Sequence, residues 1–361
     1  ILNGKSTGLL RVAVLMKKAM TRKIIVINGD RQTDKGGYVM KFTEKQLKLY
    51  AAPLSESENQ KCKNAIGMVR DALKPLGFTD DGHPISLLYE DTLAYAIEMR
   101  STYGSRKIKL FIQGSYANNT NVRTQSDVDI AVVQEEIFQT VYREGVSDSN
   151  YNFSTAKPAE KTFKDEVEEC LKDKFGRDVE RKNKSIKVHG NTYRKDADTV
   201  PCRRYRDYRQ DFYNDENNYI GGIVIIADNG ERIINYPEQH IANGRTKNTE
   251  TNHYYKKMVR IIKKMRYIMD DNSYSSAKEV SSFGLESLLW NLPNEIFTKY
   301  FTYRYIFDDI VDYIYNNKSL LSTYKEANGI KPLCPYSSDI SKMSNFINDL
   351  KRFYEYDITE D

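Results

Sequence analysis

Apolar residues recur along the chain with two different periods, and each period predicts a different kind of element. In the middle of the chain they form short runs of strand length, separated by polar turns. The segments predicted as strands are KIKLFIQ (107–113), DVDIAVV (127–133), SIKVHG (185–190), TYRKDADTV (192–200) and both arms of GGIVIIADNGERIINYP (221–237), a hairpin that turns at Asn229-Gly230.

Helical spacing flanks this region on both sides. Ser55 and Glu58 form a capping box for a helix that stops at Pro75-Leu76-Gly77, and FKDEVEECLKDKFG (163–176) predicts a helix closed by Gly176. A further helix is predicted over YEDTLAYAIEMR (89–100). From about Thr249 onward the pattern is helical throughout, in TNHYYKKMVRIIKKMRYIM (251–269), ESLLWNLPNEIF (286–297), YIFDDIVDYIY (305–315) and ISKMSNFINDLKRFY (340–354).

The order of these elements predicts an α+β fold of two lobes: helices, then a mixed sheet, then a helical lobe. We place the first lobe at residues 40–245 and the helical lobe at residues 246–361. Residues 1–39 are interpreted as an upstream or non-native extension, because the chain begins at Ile1 and the sequence from Met40 is typical of the start of a folded domain.

Composition excludes several classes of protein. The chain is 40% hydrophobic and 29% charged, which is typical of a globular protein, and 55 basic against 50 acidic residues leave a net charge of only +5. No apolar run approaches the roughly 18 residues of a membrane span. Four dispersed cysteines and four dispersed histidines argue against a clustered zinc site and favour a reducing, cytoplasmic compartment.

Two aspartates stand out because they interrupt an apolar strand. Asp127 and Asp129 lie on one side of that strand by its two-residue period, while Val128 and Ile130 face the other side. Carboxylates so close repel each other unless a cation compensates them, and Mg²⁺ prefers such oxygen ligands. The preceding strand ends at Gly114-Ser115, where the backbone of Gly114 allows close approach and Ser115 can face an anion.

Eleven residues separate Gly114-Ser115 from Asp127-Val128-Asp129. This spacing resembles the signature of the polymerase-β-like nucleotidyltransferases. That resemblance implies a third acid on a neighbouring strand. The context DADTVPC matches best at Asp198, but Asp196 points the same way by parity and remains an alternative. Asp198 could also merely pair with a nearby arginine.

The helical lobe carries weaker matches. The helix from Lys256 to Arg266 bears six basic residues, which is also the pattern of a solvated amphipathic face. The segment VRIIKKMR resembles the one in which a lysine reaches the donor triphosphate, and Lys263 is the match. SSFGLESLLW resembles a segment in which Ser282 would contact phosphate and Phe283 would stack on a base, although an aromatic at helical spacing is more often core.

Over most of the chain from Met40, these motifs resemble the CD-NTase enzymes, bacterial relatives of cyclic GMP–AMP synthase and oligoadenylate synthase in anti-phage signalling. The resemblance implies a catalytic triad of Asp127, Asp129 and Asp198 that holds two Mg²⁺ or Mn²⁺ ions, and a nucleotide site that includes Gln113, Gly114 and Ser115. It implies that ATP and other nucleoside triphosphates are joined into a cyclic di- or trinucleotide, which then acts on a downstream effector. It implies no zinc, no membrane and no obligatory DNA.

Two other functions fit the same residues. One is a template-independent transferase that makes linear oligonucleotides or modifies an RNA end or a small molecule, although the modest net charge offers little surface for a long RNA. The other is a nucleotide-binding pseudo-enzyme, which should have lost one of the acids.

Overall fold

A single mixed sheet forms the first half of the molecule. The computed structural model describes residues 42–122 and 127–355. Ten strands occur within these ranges, in the order β1-β3-β4-β5-β8-β7-β6, with β2 paired to β3 and a β9-β10 hairpin paired to β8. The strands are β1 Phe78–Thr79, β2 Ser86–Leu87, β3 Tyr95–Ser101, β4 Lys107–Gln113, β5 Val128–Val141, β6 Val179–Arg181, β7 Ile186–Val188, β8 Ala197–Asp207, β9 Ile220–Ile226 and β10 Arg232–Asn235.

Helices cover this sheet and form the second half of the molecule. Their bounds are α1 Glu44–Tyr50, α2 Glu56–Leu73, α3 Gly114–Ala117, α4 Phe163–Phe175, α5 Pro237–Glu250, α6 Tyr255–Asp271, α7 Ser276–Glu279, α8 Ser282–Trp290, α9 Asn294–Thr298, α10 Tyr303–Asn316 and α11 Ser337–Glu355. Short 3₁₀ turns lie at 74–76, 148–151, 176–178 and 318–322. The α+β prediction is confirmed.

Local capping chemistry explains why two of the predicted helices begin where they do. Glu58 N–H donates to Ser55 Oγ at 3.3 Å, and Ser55 N–H donates to Glu58 Oε2 at 3.0 Å, which is the predicted capping box of α2. Thr162 and Asp165 form the same arrangement at the start of α4, which ends at Gly176 as predicted. The apolar faces of α2 and α4 pack on the sheet in one buried cluster.

The predicted helix over residues 89–100 is wrong. Its second half is strand β3, which pairs with β1 on one side and with β4 on the other. Tyr95, Ala96, Ile97 and Met99 are all buried, and residues 93–97 form a short continuous apolar run. Such a run cannot be distinguished from a buried helix by periodicity alone, and here the pairing partners decide.

The helical lobe has its own apolar core, built mainly from α6, α8, α10 and α11. Helix α1 and the residues beside it pack into this core through Phe42, Leu47 and Ala51, although we predicted that they belong to the 40–245 lobe. Helix α5 runs across the predicted boundary near residue 245. The chain therefore begins its described part on the helical lobe before it enters the sheet.

The predicted extension at residues 1–39 lies outside the described residues. Within 42–122 and 127–355, no helix is both long and apolar enough to cross a membrane.

Candidate active site

Parallel pairing of β5 with β8 brings two of the predicted acids side by side. Asp129 is directly opposite Asp198 in the β5–β8 register, and on its other side it is opposite Gln113 at the end of β4. Asp127 lies immediately before β5. The residues that alternate with these acids, such as Val128 and Ile130, are fully buried in the sheet core. The sheet thus gathers the three predicted acids at one end of its central strands, next to the end of β4. We call this group of Asp127, Asp129 and Asp198 the acidic edge.

The Gly-Ser loop, residues 114–120, follows β4 directly and passes against this acidic edge. Gly114 has a φ of +68°, which L side chains rarely adopt. A Cβ at this position would lie 2.8 Å from Asp129 Oδ2. Both the backbone conformation and the close approach of the carboxylate therefore require glycine. Ser115, in the first turn of α3, is partly exposed beside it.

The acidic edge carries more negative charge than its surroundings balance. Burial raises the pKa of Asp129 to about 7, and the charges of Asp198 and Asp127 add to the effect. Burial also raises the pKa of Asp198, helped by Asp127 and opposed by Ser185 and Lys187. Repulsion of this kind is what a bound divalent cation relieves.

Sequence reasoning missed two residues of this edge, Ser185 and Lys187. Ser185 Oγ donates to Asp198 Oδ1 at 3.2 Å, while Lys187 Nζ lies 2.7 Å from Asp127 Oδ2 and 3.2 Å from Asp196 Oδ2. The sequence predicted a strand over SIKVHG (185–190), in which these two residues alternate with Ile186 and Val188. It could not reveal that β7 pairs with β8 so that Lys187 is opposite Asp198.

Asp196 is held differently from Asp198. Its Oδ1 accepts a hydrogen bond of 2.6 Å from Gly190 N–H, and its Oδ2 faces Lys187. Although burial acts in the opposite direction, these contacts lower the pKa of Asp196. The negative charge of Asp196 is therefore already compensated by the protein. The charge of Asp198, which is aligned with Asp129, is not compensated in this way. The geometry favours Asp198 as the third acid.

As they stand, no three His, Cys, Asp or Glu side chains of the described residues are arranged to hold a metal ion. At the acidic edge, one of the three acids, Asp127, is paired with the ammonium of Lys187. The donor set itself fits a hard cation, because it consists of carboxylate oxygens on adjacent strands with unbalanced charge.

The predicted contacts Ser282 and Phe283 of the helical lobe lie at the start of α8. Ser282 is the first residue of α8, which Ser281 caps by accepting from Gly284 N–H at 2.9 Å. Phe283 is partly exposed, and its ring stands edge-on to the ring of His240 with centroids 4.9 Å apart. Their contacts with a nucleotide stay predictions.

Lys263 does not face an open cleft. It is 2% exposed, and its Nζ lies 2.6 Å from Glu286 Oε2 in a buried ion pair. The same Nζ donates to the carbonyl oxygen and to Oγ1 of Thr120, both at 3.2 Å. The basic face of α6 also reaches the first lobe through Arg260, which donates to the carbonyl oxygen of Asn119 there and to that of Ala51 at the end of α1. Three of its basic side chains are thus buried between the lobes, namely Lys256, Arg260 and Lys263.

Comparison with protein families identifies two domains, one in the sheet-containing lobe and one in the helical lobe. Residues 96–204 match the nucleotidyltransferase domain, and residues 242–355 match the cGAS/DncV-like nucleotidyltransferase C-terminal helical domain.

Known relatives extend the agreement to nearly the whole chain. The chain is 49% identical over 319 residues to the cyclic GMP-AMP synthase CdnE03 of Staphylococcus schleiferi, and the match covers 88% of this chain and 98% of that protein. It is 36% identical over 287 residues to the cyclic dipyrimidine nucleotide synthase CdnE of Cecembia lonarensis, covering 79% of this chain and 88% of that protein.

A solved structure shares the same architecture. The CdnE cyclic dinucleotide synthase of Elizabethkingia meningoseptica, solved with GTP and Apcpp, is 30% identical with a TM-score of 0.64, and the match covers 87% of this chain and 100% of that one.

Proposed function

The chain belongs to the CD-NTase family of cyclic nucleotide synthases, and from this premise we propose that it joins nucleoside triphosphates into a cyclic di- or trinucleotide with release of pyrophosphate. The observation that carries the proposal is the placement of Asp129 beside Asp198 and against Gly114, with charge that the protein leaves uncompensated. All three acids of the predicted triad are present, so a pseudo-enzyme is not favoured.

Asp127, Asp129 and Asp198 would hold two divalent cations, Mg²⁺ or Mn²⁺. When bound, such ions neutralise the triphosphate and make the attacking hydroxyl more acidic. Lys187 would share Asp127 with these cations, because its ammonium lies 2.7 Å from Oδ2 of that carboxylate.

The remaining residues orient the donor nucleotide. Gln113 and the Gly-Ser loop lie against Asp129, so Gly114 and Ser115 would set the triphosphate close to the acids. Ser282 and Phe283 at the start of α8 would contact phosphate and base, and a stacked base is worth about 1–3 kcal/mol. Correct orientation of this kind supplies much of the rate in a transfer between two bound substrates.

In the transfer itself, a ribose hydroxyl of the acceptor attacks the α-phosphorus of the donor. The new bond joins that oxygen to phosphorus, the bond to the bridging oxygen of the β-phosphate breaks, and pyrophosphate leaves. The carboxylate of Asp198 would take up the hydroxyl proton, a task suited to its raised pKa. A second transfer within the linear product closes the ring.

The choice of bases requires a direct product assay, because the relatives differ. Their names include a cyclic GMP-AMP synthase, cyclic dipyrimidine synthases and a cyclic dipurine synthase. We would incubate the purified protein with all four labelled nucleoside triphosphates and Mg²⁺ or Mn²⁺, treat with phosphatase, and identify products by chromatography and mass spectrometry.

The expected result is a phosphatase-resistant cyclic product, absent from the Asp127→Asn/Asp129→Asn protein. Asp173→Asn, an exposed acid on α4, serves as a control for loss of charge and should retain activity. Linear products alone would instead support the template-independent transferase. No product and no pyrophosphate with any nucleotide would contradict the proposed activity.

A further inference from the structure

Glu286 is a buried carboxylate that the proposed mechanism does not use. It lies on α8, is 1% exposed, and both of its oxygens are occupied. Oε1 lies 2.8 Å from His240 Nε2, while Oε2 receives Lys263 Nζ at 2.6 Å and Thr120 Oγ1 at 2.7 Å. A buried charge with this many partners is expensive to disturb.

One side of this network holds the Gly-Ser loop. Thr120 is bound by Glu286 through its hydroxyl and by Lys263 through its carbonyl oxygen, and its own N–H donates to the carbonyl oxygen of Ser115 at 2.9 Å. Through Thr120, the carboxylate of Glu286 is therefore connected to Ser115.

A second branch reaches Gly114. Asn118 Nδ2 donates to Gly114 O at 3.2 Å and to His240 Nδ1 at 3.3 Å. Because Nδ1 of His240 accepts this bond, Nε2 carries the proton that is donated to Glu286. The two branches together tie both ends of the Gly-Ser loop to a single carboxylate.

The other side of the network is the start of α8. Ser282 lies four residues before Glu286 on the same helix, so the two are neighbours on one helical face. Phe283 packs edge-on against His240, the residue that donates to Glu286. Any shift of this carboxylate would therefore move the Gly-Ser loop relative to the predicted base-stacking residue.

The charges in this network balance each other. Despite burial, Lys263 and His240 hold the pKa of Glu286 well below its usual range. Lys263 is the counter-ion of Glu286, and it already makes three contacts inside the protein.

We propose that Glu286 is a positioning residue, which fixes the Gly-Ser loop against the helix of Ser282 and Phe283, and that Lys263 serves as its counter-ion rather than as a contact of the donor triphosphate. This inference rests on the proposed function, because it takes the space beside these residues to be the nucleotide site.

The test compares stability with nucleotide binding in four variants of the full chain. They are Glu286→Gln, Lys263→Met, the double variant Glu286→Gln/Lys263→Met, and Lys264→Met as the control. Lys264 is the next residue of α6, partly exposed, with its Nζ 6.0 Å from the ring of Tyr50. Melting temperature and the affinities for a non-hydrolysable ATP analogue and for AMP are measured, the latter at a temperature where each variant is fully folded.

Each single variant should lower the melting temperature by about 5–10 °C, because it leaves a buried charge unpaired, and the double variant should recover most of this loss. Affinity for the ATP analogue should fall about tenfold or more in all three, including the double variant, because the loop has lost its anchor. Affinity for AMP should fall by a similar factor. Lys264→Met should change neither property.

Three results would overturn the inference in different ways. If Lys263→Met weakens the ATP analogue but not AMP, Lys263 contacts the triphosphate. If the double variant recovers affinity together with stability, the network is structural only. If wild-type protein binds no nucleoside triphosphate, the proposed function fails and the positioning role fails with it, whatever the melting temperatures show.

Discussion

Two acidic centres contact the Gly-Ser loop, and they differ in how their charge is balanced. At the Gly114 end, the ammonium of Lys187 pairs with Asp127 and Asp196 rather than with Asp129 or Asp198, and burial raises the pKa of Asp129 to about 7. At the Thr120 end, one carboxylate faces both an ammonium and an imidazole, and the pKa of Glu286 is lowered.

This difference in charge balance indicates the role of each centre. A buried charge that the protein itself neutralises holds parts of the structure together, as Glu286 does between the lobes. Charge that is left unneutralised costs stability, and folded proteins keep such groups mainly where a ligand or a reaction needs them. Neutralising an acid of the first centre should therefore reduce activity without loss of stability, whereas removing only one partner of the Glu286–Lys263 pair should reduce both.

The largest expected effect separates the two candidates for the third acid. Asp198→Asn should reduce the rate of pyrophosphate release by about 10²–10⁴-fold, because Asp198 is aligned with Asp129 and is the proposed proton acceptor. Asp196→Asn should reduce it less than about fivefold, since the side chain is exposed by 40% and asparagine can still accept from Gly190 N–H. The measurement is steady-state pyrophosphate release. The opposite ranking would assign the third acid to Asp196.

The next effect concerns the contact between the Gly-Ser loop and the acids. Gly114→Ala should reduce activity by about 10–100-fold, because the new Cβ would displace Asp129 and even a shift of about 1 Å is costly. Gly82→Ala is the matched control: its φ of +76° imposes the same backbone strain, but a Cβ there meets no atom within 4 Å. Both variants should lose about 1 kcal/mol of stability from that strain. Equal activity of the two would show that the approach to Asp129 does not matter.

Sequence alone could predict the parts of this site that depend on local pattern. The period of β5 placed Asp127 and Asp129 on one side, the capping box of Ser55 and Glu58 marked the start of α2, and Gly176 marked the end of α4. Each of these features depends on residues a few positions apart, where sterics and hydrogen bonding leave few choices.

Features that depend on distant pairing could not be predicted in the same way. The opposition of Lys187 to Asp198 requires the register of β7 on β8, and the burial of Lys263 requires that Glu286, 23 residues later, returns to meet it. The helix predicted over residues 89–100 failed for the same reason, since only the pairing of β3 with β1 and β4 makes that apolar run a strand.

A smaller effect tests the charge balance of the acidic edge directly through pH. The pKa of Asp129 is about 7 in the folded state, which lies above its value in the unfolded chain. Ionisation of Asp129 therefore destabilises the fold. This loss of stability grows as the pH rises toward 7 and is complete above it. Without divalent cations, Asp129→Asn should raise the free energy of unfolding by about 4 kcal/mol at pH 8, with a smaller gain at pH 5. Denaturant unfolding at both pH values checks this. A loss of stability at pH 8 would mean that the edge is already compensated.

The smallest effect concerns Lys187, which now provides part of the compensation that a divalent cation would provide. Lys187→Met should cost about 1 kcal/mol of stability without Mg²⁺, because Asp127 and Asp196 lose their shared ammonium. At saturating Mg²⁺ the cost should shrink, since the ions would then neutralise Asp127. Lys184→Met, which removes an exposed pair between the β6–β7 turn and Glu231 of the β9–β10 turn, should cost equally little in both conditions. If the cost of Lys187→Met does not depend on Mg²⁺, the ammonium and the cation do not share Asp127, and the acidic edge would then be balanced within the protein as Glu286 is.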